Sequence, residues 1–204
     1  MPKISNDRLL ERRAHILQGC IRCFSRKGFH QASMRDICDE LQMSPGGLYR
    51  YFRSKDDIIV TMIELDRIQW QEAFAGLSGE QSFDESLAAL TRFAEEVEMT
   101  DPLVGRVWIQ IYAEATTNPV VAPVMAEHYR VMSHHLEALI KRAQERGEVC
   151  ASLPPAALGA FLMSAFDGLL LRLPVDPTAD LETMQRSFLD FIQRLTQPRK
   201  EVVQ

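Results

Sequence analysis

Apolar residues recur at helical spacing through almost the whole chain, and this pattern constrains the fold more than any other feature. In the first segment Leu17, Ile21 and Phe24 lie three or four residues apart, and no alternating pattern of useful length occurs anywhere. Gly28 follows that segment and is suited to the left-handed turn that ends a helix. The sequence therefore predicts an all-α protein of about nine helices.

Two short helices with a tight turn between them are predicted near the N-terminus. Ser33 and Asp36 have the spacing of a capping box at the start of the first, which ends near Leu41. Ser44 caps the second, with Pro45 at a position that needs no N–H. A longer helix follows, over about residues 55–75. Two short helices supported by a longer one form a helix-turn-helix arrangement.

Charge is distributed unevenly along the 204 residues, whose formal net charge is −5. Residues 1–55 carry 11 Lys and Arg against 5 Asp and Glu, and residues 56–204 carry 12 against 23. A basic first quarter on an acidic remainder predicts a polyanion-binding N-terminal part joined to a part with another role.

The second short helix has the composition expected of a helix that enters a DNA major groove. Such a helix presents small or polar side chains at its N-terminal end, as Ser44, Gly46 and Gly47 do. Hydroxyls and cations then reach phosphates or bases. The candidates for these contacts are Tyr49, Arg50, Tyr51 and, at the start of the next helix, Lys55.

The run from Gly28 to Ile59, GFHQASMRDICDELQMSPGGLYRYFRSKDDII, resembles the DNA-binding segment of the TetR/AcrR family of bacterial transcriptional regulators. The resemblance covers about the first 60 residues closely and the remainder only in helix count and length. It implies a homodimer that places its third helices in the major grooves of a pseudo-palindromic double-stranded DNA operator. It also implies a DNA-binding domain over residues 1–55 and an effector-binding and dimerisation domain over residues 56–204.

The resemblance also assigns roles to individual residues. Ser44, Gly46 and Gly47 approach the bases, and Tyr49 and Lys55 match phosphate contacts. Pro45 stands where many relatives have Lys, Thr or Arg, so base reading falls more to Arg50 and Tyr51. The family's clamp on the DNA backbone is matched by Ser33 and Arg35.

The last two predicted helices, over 154–172 and 178–195, are implied to pair with their copies in a four-helix bundle. The first is apolar nearly all round, which favours contacts on both sides, although an ordinary monomer core is the alternative. The candidate dimerisation residues are Leu158, Phe161, Leu162, Leu169, Met184, Phe188 and Phe191.

Large apolar residues on the middle helices are candidates for an effector pocket, with core packing as the alternative for most of them. They are Trp70, Phe74, Phe93, Trp108, Tyr112, Met125 and Phe166, with Gln110, Glu114, His128, His134 and Asp167 as polar anchors.

Asp167 interrupts an apolar run, and a buried carboxylate needs a partner. Three partners are open: the effector, a basic residue such as Arg130, or the dimer axis. The expected effector is small and largely apolar, with cationic character as an option because this part of the chain is acidic.

Three cysteines give a rival interpretation, a thiol- or metal-sensing regulator that uses Cys20, Cys23 and Cys38. Without a second CxxC or a ligand-spaced histidine pair, packing of small apolar side chains is favoured, with Cys20 in the core and Cys23 more peripheral. A helical ligand-binding protein without DNA binding is a further alternative.

No catalytic constellation, metal site or cofactor motif is recognised, so the chain is expected not to be an enzyme. The N-terminus lacks the apolar core of a secretory signal, and the apolar stretch from Ala156 to Leu171 is short for a membrane span. A cytoplasmic repressor that an effector releases from DNA is therefore predicted.

Overall fold

A computed structural model describes residues 6–99 and 101–196. Over these residues the chain forms helices and no strand, so the all-α prediction is confirmed. A π-helical turn, Glu95–Met99, extends the fifth helix. The helices are α1 Asn6–Lys27, α2 Met34–Leu41, α3 Pro45–Tyr49, α4 Lys55–Ala75, α5 Phe83–Ala94, α6 Pro102–Ala115, α7 Val121–Glu145, α8 Pro155–Arg172 and α9 Leu181–Thr196.

Local signals set the boundaries of the N-terminal helices. The Ser33 hydroxyl accepts from the Asp36 N–H at 3.1 Å, and the Asp36 carboxylate accepts from the Ser33 N–H at 2.8 Å, which is the predicted capping box. Gly28 has a φ of +79° directly after α1, as its position predicts. The Ser44 hydroxyl accepts from the Gly47 N–H at 3.2 Å and caps α3.

Two helices differ from their predicted lengths. The short helix α3, which the run GGLYRYF predicts as far as Phe52, ends at Tyr49, because the Tyr51 N–H donates to the Leu48 carbonyl and tightens the chain into a turn. The last helix begins at Leu181 and not at Thr178, because Asp176 accepts from the Thr178 N–H at 2.9 Å and holds residues 176–180 in a separate turn.

The chain divides into two compact units. We call residues 1–65 with 106–125 the head unit, and residues 66–105 with 126–204 the body unit; the divisions fall inside α4, α6 and α7. The head unit has a core of fully buried side chains, in which Leu48 and Phe52 form an i,i+4 pair. Its other fully buried members include Ile16, Phe24, Ile37, Ile58, Ile59 and Ile63.

The body unit has its own apolar core, to which α5, α7, α8 and α9 contribute. Leu158 and Leu162 of α8 are 6% and 3% exposed, and Ile192 of α9 is fully buried. The remaining core residues are Phe83, Leu87, Leu90, Leu136, Leu139, Ile140, Ala143 and Val149.

Helix α8 is, among the described helices, the one long and apolar enough to cross a membrane. Composition alone does not separate a membrane span from a packed helix. In this chain Leu158 and Leu162 pack into the body core, and α8 carries a carboxylate, Asp167, among its apolar side chains. These contacts describe α8 as a helix of the globular body unit.

Candidate DNA interface and effector region

The N-terminal end of α3 is an open surface. Ser44, Pro45 and Gly46 are exposed and Gly47 is half-buried. A Cβ on Gly47 would lie 3.2 Å from the Ser44 hydroxyl and crowd the cap, whereas a Cβ on Gly46 would meet nothing within 4 Å. Packing within the chain therefore accounts for a glycine at position 47. It does not account for one at position 46, where the backbone is exposed to solvent without a side chain.

Some of the residues after this glycine pair are buried in the core and others are exposed at the surface. Leu48 and Phe52 are fully buried and fix the segment to the head unit. Tyr49 is 52% exposed, and Arg50 is exposed with its guanidinium carbon 5.9 Å from the centroid of the Tyr51 ring. This geometry presents a phenol and a guanidinium side by side, both suited to phosphate or base contacts.

Ser33 and Arg35, the candidate clamp on the DNA backbone, are both exposed at the start of α2. The Ser33 hydroxyl already donates to the Asp36 carboxylate at 2.7 Å. Lys27 also bonds to Asp36, at 2.6 Å, and together these contacts hold the pKa of Asp36 well below its ordinary value. Asp36 therefore stays ionised, and its negative charge offsets the positive charge of Lys27.

Lys55, a candidate phosphate contact, is engaged within the head unit. Its ammonium donates to the Phe29 carbonyl at 2.6 Å and to the His30 carbonyl at 3.3 Å, and lies 4.5 Å from the centroid of the Phe29 ring. The side chain thus ties the start of α4 to the loop between α1 and α2. An ammonium has three N–H donors, so one remains for a phosphate.

The cysteines of the head unit are core residues. Cys20 and Cys23 are fully buried and Cys38 is 3% exposed, so the expectation that Cys23 is peripheral is wrong. Burial, helped by the neighbouring Cys23, raises the pKa of Cys20 to about 12, and burial also raises those of Cys23 and Cys38. Protonated, enclosed thiols react slowly. Within the described ranges no three His, Cys, Asp or Glu side chains are grouped to hold a metal ion.

Four of the candidate effector residues form one aromatic cluster in the body unit: Trp70, Phe74, Phe93 and Phe166. The Trp70 ring lies 5.0 Å from Phe93 and 5.5 Å from Phe166, nearly perpendicular to both. Phe74 lies 6.2 Å from Trp70 and stacks on His135 at 5.0 Å. All four side chains are half-buried.

Two acidic side chains lie on the same helices as members of this cluster. Asp167 follows Phe166 on α8 and accepts from the Tyr129 hydroxyl at 2.8 Å. Arg130, one of its open partners, instead forms a two-pronged ion pair with Glu127. Tyr129 was not among the residues predicted from the sequence, since no sequence signal connects these positions on α7 and α8.

The second acidic residue is Asp66, which precedes Trp70 by one helical turn on α4. It is 7% exposed, and its carboxylate lies 3.7 Å from Nδ1 of His128, which is 6% exposed. Burial, helped by the charge of Arg67, lowers the pKa of His128 to about 4, so the imidazole is neutral near pH 7. The i,i+4 spacing from Trp70 is the signal that could have identified Asp66 from the sequence.

Five of the remaining effector candidates lie in the head unit. Trp108 and Met125 are buried there, and the Tyr112 ring lies 6.0 Å from that of Trp108. Gln110 and Glu114 line an open depression beside the loop between α1 and α2. His134, by contrast, is exposed on α7 in the body unit. The structure thus divides between two units a set of residues that the sequence pattern groups as one.

The candidate dimerisation residues also differ in exposure. Leu158 and Leu162 are occupied in the body core, Phe188 packs against it, and Leu169 and Met184 are half-buried. Phe161 and Phe191 are 44% and 55% exposed. Leu171 and Val175, which were not predicted from the sequence, are exposed as well. Among the described side chains, the large apolar ones exposed on α8, α9 and the segment joining them are Phe161, Leu171, Val175 and Phe191.

Comparisons with known proteins agree with this geometry. Residues 16–62 match the family described as bacterial regulatory proteins, tetR family, and residues 84–197 match the BetI-type transcriptional repressor, C-terminal. The regulator UidR of Escherichia coli strain K12 is 29% identical over 171 residues, 82% of this chain and 84% of that protein.

Two solved structures share the fold. A transcriptional regulator from Saccharomonospora viridis in complex with choline has a TM-score of 0.77 and 24% identity, covering 93% of this chain and 99% of that one. FadR from Bacillus subtilis in complex with stearoyl-CoA has a TM-score of 0.77 and 16% identity, covering 89% and 98%. The two family matches together cover most of the helices described above. The chain therefore belongs to the tetR family of bacterial transcriptional regulators and has a BetI-type C-terminal region.

Proposed function

We propose that this regulator binds a pseudo-palindromic operator as a homodimer, represses transcription there, and is released by a small organic effector. The DNA-binding part of the proposal depends on the open N-terminal end of α3. There the backbone of Gly46 is exposed to solvent, and Arg50 follows one helical turn later. In this proposal α3 enters the major groove, residues 1–55 bind DNA, and residues 56–204 serve the effector and the dimer, in the cytoplasm.

A second copy of the chain accounts for the exposed apolar surface of the body unit. Phe161, Leu171, Val175 and Phe191 contribute large apolar side chains that a monomer would leave in water. A two-fold axis through this surface would repeat the same residues on both sides and present two α3 helices to one duplex. Each helix would then read one half-site.

The effector binds, in this proposal, at the aromatic cluster of the body unit. The two solved relatives hold choline and stearoyl-CoA, so this fold accommodates very different ligands and the chain's own residues must select between them. Aromatic rings attract apolar groups and organic cations, and the carboxylates of Asp66 and Asp167 disfavour an anion. We therefore infer a small, largely apolar effector that carries a positive charge.

The effector acts by binding more tightly to a conformation of the protein that has low affinity for the operator. A ~10–100-fold difference in affinity between the two states supplies about 1–3 kcal/mol of coupling. Helix α4 carries both Lys55, a candidate DNA contact, and Trp70 of the aromatic cluster, so it is the element on which both ligands act.

Mobility shifts with duplexes from the chain's own gene neighbourhood test the DNA-binding part. The wild type should retain one duplex specifically, and Arg50→Ala should weaken that complex more than a complex with scrambled DNA. Arg130→Ala is the matched control, because Arg130 is exposed and paired with Glu127 in the body unit. Equal loss on scrambled DNA would assign Arg50 to the phosphates, and no retained duplex at all would refute the proposal.

Tryptophan fluorescence tests the effector part. The chain has two tryptophans, so Trp108→Phe leaves Trp70 as the sole reporter. Choline should change its emission and release the operator, whereas 3,3-dimethylbutan-1-ol, a neutral molecule of the same shape, should do neither. Equal responses to both molecules would refute the inferred charge.

A further inference from the structure

One amide side chain joins α6 to both ends of the turn that follows α1. The Gln110 amide oxygen accepts from the Phe29 N–H at 2.6 Å. Its NH2 group donates to the Phe24 carbonyl at 3.2 Å and to the carbonyl of Arg106 in its own helix at 3.3 Å. Gln110 therefore satisfies a donor in the loop and an acceptor in the last turn of α1 at the same time.

Two further side chains hold the same loop. Glu114, one turn beyond Gln110, is 6% exposed and lies 2.9 Å from Nε2 of His30. From α4, Lys55 donates to the carbonyls of Phe29 and His30. The Phe29 ring is 6% exposed and packs edge-on against Phe24 at 5.3 Å. Phe29 and His30 are thus fixed from α1, α4 and α6, all within the head unit.

We propose that Gln110 is a positioning residue for operator binding. By holding Phe29, it sets the point to which the Lys55 ammonium is tied and the path by which the chain reaches Ser33. The inference rests on the proposed function, because Lys55 and Ser33 are assigned to the DNA backbone there. A loop that must be ordered when the duplex binds adds an entropic cost, whereas a loop already held in place does not.

The chemistry of the amide makes the proposal testable by one substitution. In Gln110→Glu the ionised carboxylate can still accept from the Phe29 N–H, but it places a second acceptor against the Phe24 carbonyl. When protonated, the carboxyl group has one donor and one acceptor and reproduces the pattern of the amide. The half-buried position and the facing Phe24 carbonyl both disfavour the ionised form, so protonation should relieve the repulsion as the pH falls.

The experiment measures operator affinity at about pH 8 and about pH 5.5 for wild type and Gln110→Glu, with folding checked by circular dichroism at both values. At the higher pH the variant should bind about tenfold more weakly, the loss expected for one hydrogen bond that becomes a repulsive contact. At the lower pH the difference from the wild type at the same pH should become smaller, because a larger share of the new carboxyl group is protonated.

Other charged or titratable groups face this position, and any pH dependence of operator affinity that they cause must be subtracted from that of Gln110→Glu. Lys27, His30 and Glu114 line the same depression, and Lys55 approaches from α4. The same groups are present in Gln110→Leu, which cannot regain a hydrogen bond and should remain weak at both pH values. The pH-dependent recovery should appear in Gln110→Glu and be absent from Gln110→Leu.

Gln144→Glu is the matched control in the body unit. The Gln144 NH2 group donates to the carbonyls of Cys150 and Leu153 at 2.9 and 2.7 Å, so the same substitution creates a similar repulsion away from the head unit. It should lower stability and leave operator affinity unchanged. An equal loss in Gln144→Glu, wild-type affinity of Gln110→Glu at about pH 8, or a loss that does not recover at about pH 5.5 would each overturn the inference. A wild type that binds no duplex would overturn the proposed function first.

Discussion

The ammonium of Lys55 lies 2.6 Å from the carbonyl oxygen of Phe29 and 4.5 Å from the centroid of the same residue's ring. These residues are 26 positions apart, and the contact joins the first residue of α4 to the loop after α1. A cation held in this way has a fixed position before DNA arrives. Its remaining N–H donor can meet a phosphate at little further cost in side-chain entropy.

Lys55→Ala should weaken binding to operator and to scrambled duplex by the same factor, because a phosphate contact carries no sequence information. The slope of log K against log salt should become shallower by about 0.9, since the variant neutralises one phosphate fewer. Lys141→Ala is the control, since Lys141 is an exposed cation paired with Glu137 in the body unit. A weakened complex with an unchanged slope would mean that Lys55 acts only by holding Phe29.

Phe191→Asp should convert the dimer to a monomer, because it places a charge where the proposed interface buries an aromatic ring. Sedimentation velocity at increasing concentration checks the mass, and operator affinity should fall by at least about tenfold when the two half-sites are no longer bound together. Val120→Asp is the control, because Val120 is 51% exposed in the head unit. This variant should sediment with the same mass as the wild type. A dimeric Phe191→Asp would place the interface elsewhere.

Thiol titration of the native protein should give one rapidly reacting thiol per chain. That thiol is Cys150, which is half-buried with its sulfur 3.0 Å from the Ser152 hydroxyl, whereas Cys20, Cys23 and Cys38 are enclosed in the head core. Cys150→Ser should remove the fast phase, and unfolding should expose the other three. Fast reaction of Cys20 or Cys23 in folded protein would revive the thiol-sensing alternative.

His128 should make the protein less stable as the pH falls. The unfolded imidazole binds a proton near its ordinary pKa of about 6.5, whereas burial lowers the folded value to about 4. The unfolded state therefore binds more protons between these values, and about 2 kcal/mol of the free energy of unfolding is lost between about pH 7 and about pH 5. Denaturant titrations should show a smaller loss for His128→Gln. Equal losses would mean that Asp66, 3.7 Å away, keeps the folded imidazole near its ordinary pKa.

The helix boundaries were predictable where the signal is local. Ser33 and Asp36 are three residues apart and cap α2 by themselves, and Gly28 ends α1 through its own φ. The tie between Lys55 and Phe29 was not predictable, because it depends on how α4 packs against a distant loop. The sequence pattern indicates only a surface cation at Lys55.

The candidate sites show a similar limit. Helix α8 is apolar nearly all round, so its pattern could not show that Leu158 and Leu162 face the core while Phe161 faces outward. Trp70 and Trp108 were grouped by residue type, and the structure places them in different units. Aromatic composition identifies candidates for a pocket, but helix packing decides which of them meet.

Binding-site selection on random duplexes tests the central claim most directly. The wild type should enrich a single consensus made of two inverted half-sites whose centres lie about one DNA turn or more apart. Arg50→Ala should enrich the same repeat with relaxed preference at matching positions in both halves. Recovered sequences without a consensus, or with one unrepeated site, would contradict a homodimer that reads DNA through α3.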